Sequence, residues 1–247
     1  MNDSPTVVLL LFPGIAQLDL TGPAGVLSLI PGAGIHLAAA SADPVPTDSG
    51  FSIVPTCTFG DAPPADIFIV PGGPGVFRLM QDAPTCRFIT GAAQGAVLTA
   101  GVCTGSFLLG RCGLLDGHRV TTHWASRDLL REYTDGHGVT VTDDRVVVDR
   151  DLVTCAGVTS GIDLALEIVG LVSGQAIRAK AELVTEHLTA VGPDPADADR
   201  YVPEIVARFT HSVAAERRPL LQTAPVPGTT GAGTRQETTG TEGEEVQ

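Results

Sequence analysis

Unbroken apolar runs of strand length alternate with helical patterns along most of the chain. Residues 6–12 (TVVLLLF) read as a strand buried on both faces. A loop over 13–19 leads to a helix that the pattern starts near Thr21-Gly22-Pro23 and carries to about residue 30. Residues 35–40 read as a second strand, 52–58 as extended, and 66–70 (DIFIV) as a short buried strand halted by Pro71-Gly72-Gly73-Pro74. A helix over 84–95, a buried strand over 96–102 and a helix over 104–115 come next, then a short extended piece at 120–122 and a helix over 124–133. Residues 145–149 and 152–155 flank Arg150-Asp151 as a hairpin, and helices are expected over 160–172, 174–188 and 201–217. Buried strands separated by helices predict an α/β fold: a flavodoxin-like three-layer sandwich with a mainly parallel central sheet. The expected domain spans 5–190, followed by a helical extension over 191–222. Residues 223–247, rich in Thr, Gly and Glu with little to bury, read as a disordered tail.

Composition narrows the partners. Hydrophobic residues make up 43% of the 247 and charged residues 17%, enough for a sizeable core and too apolar for a disordered chain. Aromatics are only 4%, so burial rests on Val, Leu, Ile and Ala. A net charge of −13 argues against nucleic acid and anionic membranes as partners, since both reward clustered Lys and Arg. No apolar stretch approaches the ~20 residues of a membrane span, and the first residues lack the charged start of a signal peptide. Cysteines at 57, 86, 103, 112 and 155 form neither a metal spacing nor an even disulfide set. The expectation is a soluble cytoplasmic protein acting on a small molecule, without metal or organic cofactor.

In parallel sheets, sites lie at the carboxyl ends of the strands. Three places just after strands carry suggestive residues. Gly101-Val102-Cys103-Thr104-Gly105 has the strand-to-helix context of a nucleophile elbow. Small neighbours permit the tight, strained turn, and the following helix start favours thiolate. The expectation is a partly accessible Cys103 with a pKa below the free value of about 8.5, provided that any carboxyl beside it is protonated. The alternative is a small core cysteine. Asp19, after the first strand, either shuttles a proton for such a thiol or caps a helix, as Thr21 also could. Pro71-Gly72-Gly73-Pro74-Gly75 either aims backbone N–H groups at a developing anion or is a structural turn; no Lys-Ser/Thr follows it, so it is not a phosphate loop. His123 is a candidate base for a Cys–His pair or a structural histidine.

Taken together, LLFPGIAQLDLTGPAGVL, DIFIVPGGPGV, GVCTGSFLLGRCGLLDGHRVTTHW and LVTCAGVTSGIDLALEIV resemble the ThiJ/PfpI superfamily, of class I glutamine amidotransferase-like fold, and within it the isonitrile hydratases. The same segments resemble the ligand-domain half of some AraC-type regulators. The residues after 190 offer only one helix and an acidic tail, too little for the two helix-turn-helix modules of such a regulator. The resemblance implies Cys103 as nucleophile, Asp19 as its acidic partner, and Thr104 where protease-like relatives carry histidine. It also implies Gly72 and Gly73 beside the substrate, His123 near the site without being the base, and a homodimer. Gly101 departs from the serine usual in the hydratases. The implied chemistry is attack of Cys103 on an isonitrile's terminal carbon with a proton from Asp19, then hydrolysis of the thioimidate to an N-substituted formamide. Competing readings are a ligand or redox sensor on the same fold, and another cysteine hydratase or amidotransferase-like hydrolase. The latter needs His123, rather than Asp19, beside the sulfur.

Overall fold

Thr6–Leu10 (β1) is the buried strand that the first apolar run predicts, with four of its five residues out of solvent. The computed structural model describes residues 4–185 and 187; the helix expected at 201–217, the extension and the tail lie outside them. After β1 come Gln17–Leu27 (α1), Gly34–Ala39 (β2), Val45–Pro46 (β3), Ser52–Ile53 (β4), Cys57–Thr58 (β5) and Ile67–Val70 (β6). Val76–Leu79 (α2) and Ala83–Gly95 (α3) lead to Leu98–Val102 (β7) and Gly105–Arg111 (α4). Arg119–Val120 (β8), a 3-10 turn at Trp124–Ser126, Arg127–Tyr133 (α5) and Thr140–Val141 (β9) make a peripheral segment. Val146–Asp149 (β10) and Leu152–Cys155 (β11) form the expected hairpin, and Ser160–Ser173 (α6) and Gln175–Thr185 (α7) follow.

One seven-stranded sheet has the order β10-β11-β7-β6-β1-β2-β5, every neighbouring pair parallel except the β10–β11 hairpin. The chain steps from β1 outward to β2 and later from β6 outward to β7 in the opposite direction. Right-handed crossovers therefore put α1 and α3 on opposite faces. Consistent with this, α6 packs on both α1 and α7, while α2 and α3 pack on α4. The predicted three-layer α/β architecture is the one observed. Strand order reverses between β1 and β6, so a crevice at their carboxyl ends is the natural place for a site.

Small residues set the depth of the α1–α6 layer. A Cβ on Gly22 would stand 3.3 Å from Ile162, and one on Gly161 would stand 3.2 Å from Pro23 and 3.3 Å from Val102. Helix α1 begins four residues earlier than the pattern predicts. Its first turn is supported from outside: Asp48 Oδ1 accepts the Gln17 N–H at 3.1 Å. Pro23 thus sits within the helix and not at its start. The other departures are smaller. Helix α2 was not expected, 52–58 resolves into two short strands separated by Val54–Thr56, and the helix expected to residue 115 ends at Arg111.

Candidate active site

Cys103 is the first residue after β7 and has φ 55, one of three non-glycine residues with positive φ among those described. This left-handed conformation costs a side-chain-bearing residue about 1–2 kcal/mol, so the surroundings must enforce it. They do so from three sides. The Cys103 N–H donates to Cys155 O at 3.2 Å, and Thr122 Oγ1 donates to Cys103 O at 2.7 Å. On the third side, Gly105 lets the start of α4 press onto β6, where any Cβ would strike the Val70 carbonyl oxygen. Gly101, the departure from the hydratase spelling, faces Leu109 and Ser106 on α4, with a Cβ position only 2.8 Å from Leu109 Cδ1. Its role is packing beneath the elbow.

Asp19 lies in the first turn of α1, fully buried, and caps nothing: the residue before the helix is Ala16, and no side chain caps there. Asp19 Oδ2 accepts the Gly72 N–H at 3.1 Å, and the Cys103 side chain is the carboxyl's other hydrogen-bonding neighbour. Oδ1 meets no donor in good geometry. Burial pushes the Asp19 carboxyl up to about 7, against the opposing pull of the Gly72 N–H and the thiol.

The Cys103 thiol is also displaced, and in the direction opposite to the expectation from sequence. Burial first and the Asp19 charge second push it well above the ordinary thiol range, and the N–H groups of Thr104 and Val158 only partly oppose them. Cys103 is 6% exposed. The expected low-pKa, partly accessible thiolate is therefore corrected: desolvation outweighs the backbone donors, and in the resting site the proton stays on sulfur.

Gly72 and Gly73 have a different task from the anion-holding one expected. Their N–H groups are engaged within the protein, Gly72 by Asp19 and Gly73 by Thr104 Oγ1 at 3.0 Å. Gly73 needs to be glycine, having φ 133 and a Cβ position that collides with the backbone of Ala16 and Gly14. Thr104, 3% exposed, thus braces the glycine turn against the elbow.

Sequence reasoning missed Val158. Its N–H faces the Cys103 sulfur from the loop after β11, and its φ of 33 is the third strained position. Beside it, Arg145 bridges Thr159 Oγ1 at 3.3 Å and Asp163 Oδ2 at 2.5 Å, while His187 Nε2 meets Asp163 Oδ1 at 2.7 Å. The only sequence signal was position, a loop after a strand neighbouring β7.

His123 is buried and starts the 3-10 turn, its Nδ1 accepting the Ala125 N–H at 3.4 Å. Its ring packs where a Cβ on Gly157 would lie 2.6 Å away. Burial, with Arg127 contributing, lowers its pKa to about 4, which keeps it neutral at physiological pH. The titratable group set against the Cys103 side chain is the Asp19 carboxyl. Thr21 is no cap either; its Oγ1 bonds Gln17 Oε1 at 2.9 Å. Among the described residues no group of His, Cys, Asp and Glu could hold a metal ion.

A strained cysteine at the end of a buried parallel strand, facing a buried carboxyl from across the sheet's reversal point, defines an elbow protein of the amidotransferase-like α/β class. The chain belongs to the DJ-1/PfpI family, whose description matches residues 5–171. It is 45% identical over 177 residues to the isonitrile hydratase of Pseudomonas putida, covering 70% of this chain and 76% of that enzyme. A ThiJ/PfpI family protein from Pseudomonas syringae has a similar structure, with TM-score 0.77, 35% identity and coverage of 88% and 90% of the two chains. The transcriptional regulator GbdR of Pseudomonas aeruginosa is 33% identical over 130 residues, which cover 53% of this chain but only 35% of the regulator.

Proposed function

We propose that the protein is an isonitrile hydratase, converting an isonitrile and water to an N-substituted formamide with Cys103 as nucleophile and Asp19 as proton carrier. The observation that carries this reading is the Asp19 carboxyl, buried against the Cys103 thiol with its pKa brought to about 7. A group that titrates near neutrality both accepts and returns a proton within one turnover. The 45% identity to an isonitrile hydratase supports the choice of substrate.

The steps balance without an added group. Asp19 carboxylate takes the thiol proton as sulfur bonds to the terminal isonitrile carbon, and returns it to that carbon, giving a thioimidate. Water then adds across the carbon–nitrogen bond, its hydroxyl to carbon and its proton through Asp19 to nitrogen. Collapse breaks the carbon–sulfur bond, restores the thiol and releases the formamide. Because thiol and carboxyl interact, they titrate as a pair and share the single proton on which the first step depends. The Thr104 and Val158 N–H groups favour the negative sulfur just when the proton leaves it.

The test is incubation of the protein with a simple aliphatic isonitrile, with the formamide followed by proton NMR. Wild type forms the product, while Cys103→Ser and Asp19→Asn fold normally and do not. Absence of formamide with the folded wild-type protein refutes the reading. Homodimerisation and a cytoplasmic location go with this proposal; a light-scattering mass equal to the 25.4 kDa chain would refute the dimer.

A further inference from the structure

Two cysteines that the hydratase chemistry does not use lie side by side on the opposite layer from α1. Cys86 is on α3, and Cys112 follows α4, the helix that begins at the Cys103 elbow. Cys112 Sγ lies 3.7 Å from the Cys86 carbonyl oxygen, and the two thiols are hydrogen-bond partners. Both are half-buried, whereas Cys103 and Cys155 are buried. Local contacts hold them in place: Cys86 Sγ is 3.8 Å from Leu79 O, and Thr90 Oγ1 donates to Cys86 O at 3.0 Å. Arg111, the residue before Cys112, has its Nε fixed on Met80 O at 3.0 Å, which keeps a guanidinium near the sulfurs.

We propose that Cys86 and Cys112 form a redox-active dithiol that takes hydrogen peroxide ahead of Cys103 and closes to an intramolecular disulfide joining α3 to the end of α4. The pair is chemically unequal, as such a reaction needs. The Cys112 thiol and the Arg111 charge lower Cys86 to about 7, against burial and the nearby Asp82, while Cys112 is pushed up as the proton donor. Tyr133, the other ionisable group packed nearby, is held protonated by burial.

The Cys86 thiolate attacks the peroxide, forming an S–O bond and breaking O–O, and the departing hydroxide takes up through solvent the proton that the Cys86 thiol gave up, becoming water. The Cys112 sulfur then displaces hydroxide from the sulfenic acid, forming S–S, and its own proton completes the second water. Two thiols are oxidised and one peroxide is reduced.

Substoichiometric hydrogen peroxide, followed by alkylation of remaining thiols and peptide mapping without reductant, tests the proposal. The expected product is a Cys86–Cys112 cross-linked peptide, lost on adding dithiothreitol, with Cys103 still a thiol. In Cys112→Ser the cross-link is replaced by a sulfenic acid on Cys86 that a carbon-acid trapping reagent labels. Oxidation of Cys103 before any cross-link forms, or Cys86 and Cys112 remaining thiols, overturns the proposal. Both outcomes are read on the wild-type protein and are independent of hydratase activity.

Discussion

At Cys103 and Asp19 two opposing demands meet. The proposed chemistry needs Cys103 as thiolate, yet a buried thiolate beside a buried carboxylate would place like charges together in a poorly solvated site. The structure resolves this by holding one proton between them, with the carboxyl brought to about 7 and the thiol held higher still. Thr104 keeps the geometry of that pair. Replacing it with Val preserves its shape but removes the acceptor for the Gly73 N–H. A buried donor left unsatisfied costs about 1–3 kcal/mol. Thr104→Val is therefore expected to lower the melting temperature and to reduce formamide formation, while Thr104→Ser keeps both near wild type. A Val variant as stable and active as wild type would show that the brace is dispensable. His123, neutral down to about pH 4, leaves the pH profile to the Cys103–Asp19 pair; a profile whose neutral limb moves in His123→Asn would contradict that assignment.

Among the elements, the turns after the strands do the positioning, and glycines separate structural from functional need. Gly73→Ala meets backbone at Ala16 and Gly14 and keeps φ 133, so it is expected to destabilise the fold by about 3 kcal/mol or more. A Cβ at Gly72 lies 2.8 Å from Asp19 Oδ2 and 2.7 Å from Thr104 N, so it displaces the acid itself. Gly72→Ala is expected to lose about a hundredfold in rate, the scale of a 1 Å misplacement. In α3, Gly91 is exposed with nothing within 4 Å of its Cβ position, and Gly91→Ala should gain about 1 kcal/mol with unchanged activity. Circular dichroism melts and formamide assays distinguish the three. The sheet was legible because its central strands are short, mostly apolar runs, unbroken in β6, and the Cys103 elbow because glycines surround it after such a run. The start of α1 was not. Its first N–H, on Gln17, is taken by Asp48 from a distant turn, so the local pattern pointed to Thr21 and left Asp19 between two roles. Nor could spacing show that Gly72 and Gly73 give their N–H groups to Asp19 and Thr104, since those contacts span 53 and 31 residues. The depth of burial at Cys103, which reverses the direction of its pKa, likewise emerges only when β6, β7 and β11 are assembled.

For the molecule as a whole, the site is a local cost carried by the rest of the fold. Asp19 titrates at 3.8 in an unfolded chain and at about 7 in the folded one. Between these values the folded state holds more protons than the unfolded state, so stability falls as pH rises through that window. Below about pH 3 the carboxyl is protonated in both states and costs nothing. Above about pH 8 it is ionised in both, and the full penalty of the buried charge is present. Asn at this position keeps an oxygen for the Gly72 N–H and never ionises. Asp19→Asn is therefore expected to match wild type at pH 3 and to be about 2–4 kcal/mol more stable at pH 8, the shift converted at 1.36 kcal/mol per pH unit and reduced for relaxation. Chemical denaturation at pH 4, 6 and 8 measures the difference, all below the range in which the raised Cys103 thiol begins to ionise. The same variant should make no formamide, so the gain in stability and the loss of turnover come from one carboxyl. A stability difference that stays constant across the three pH values would mean that Asp19 is ionised in the folded protein throughout, and the shared proton on which the chemistry rests would go with it.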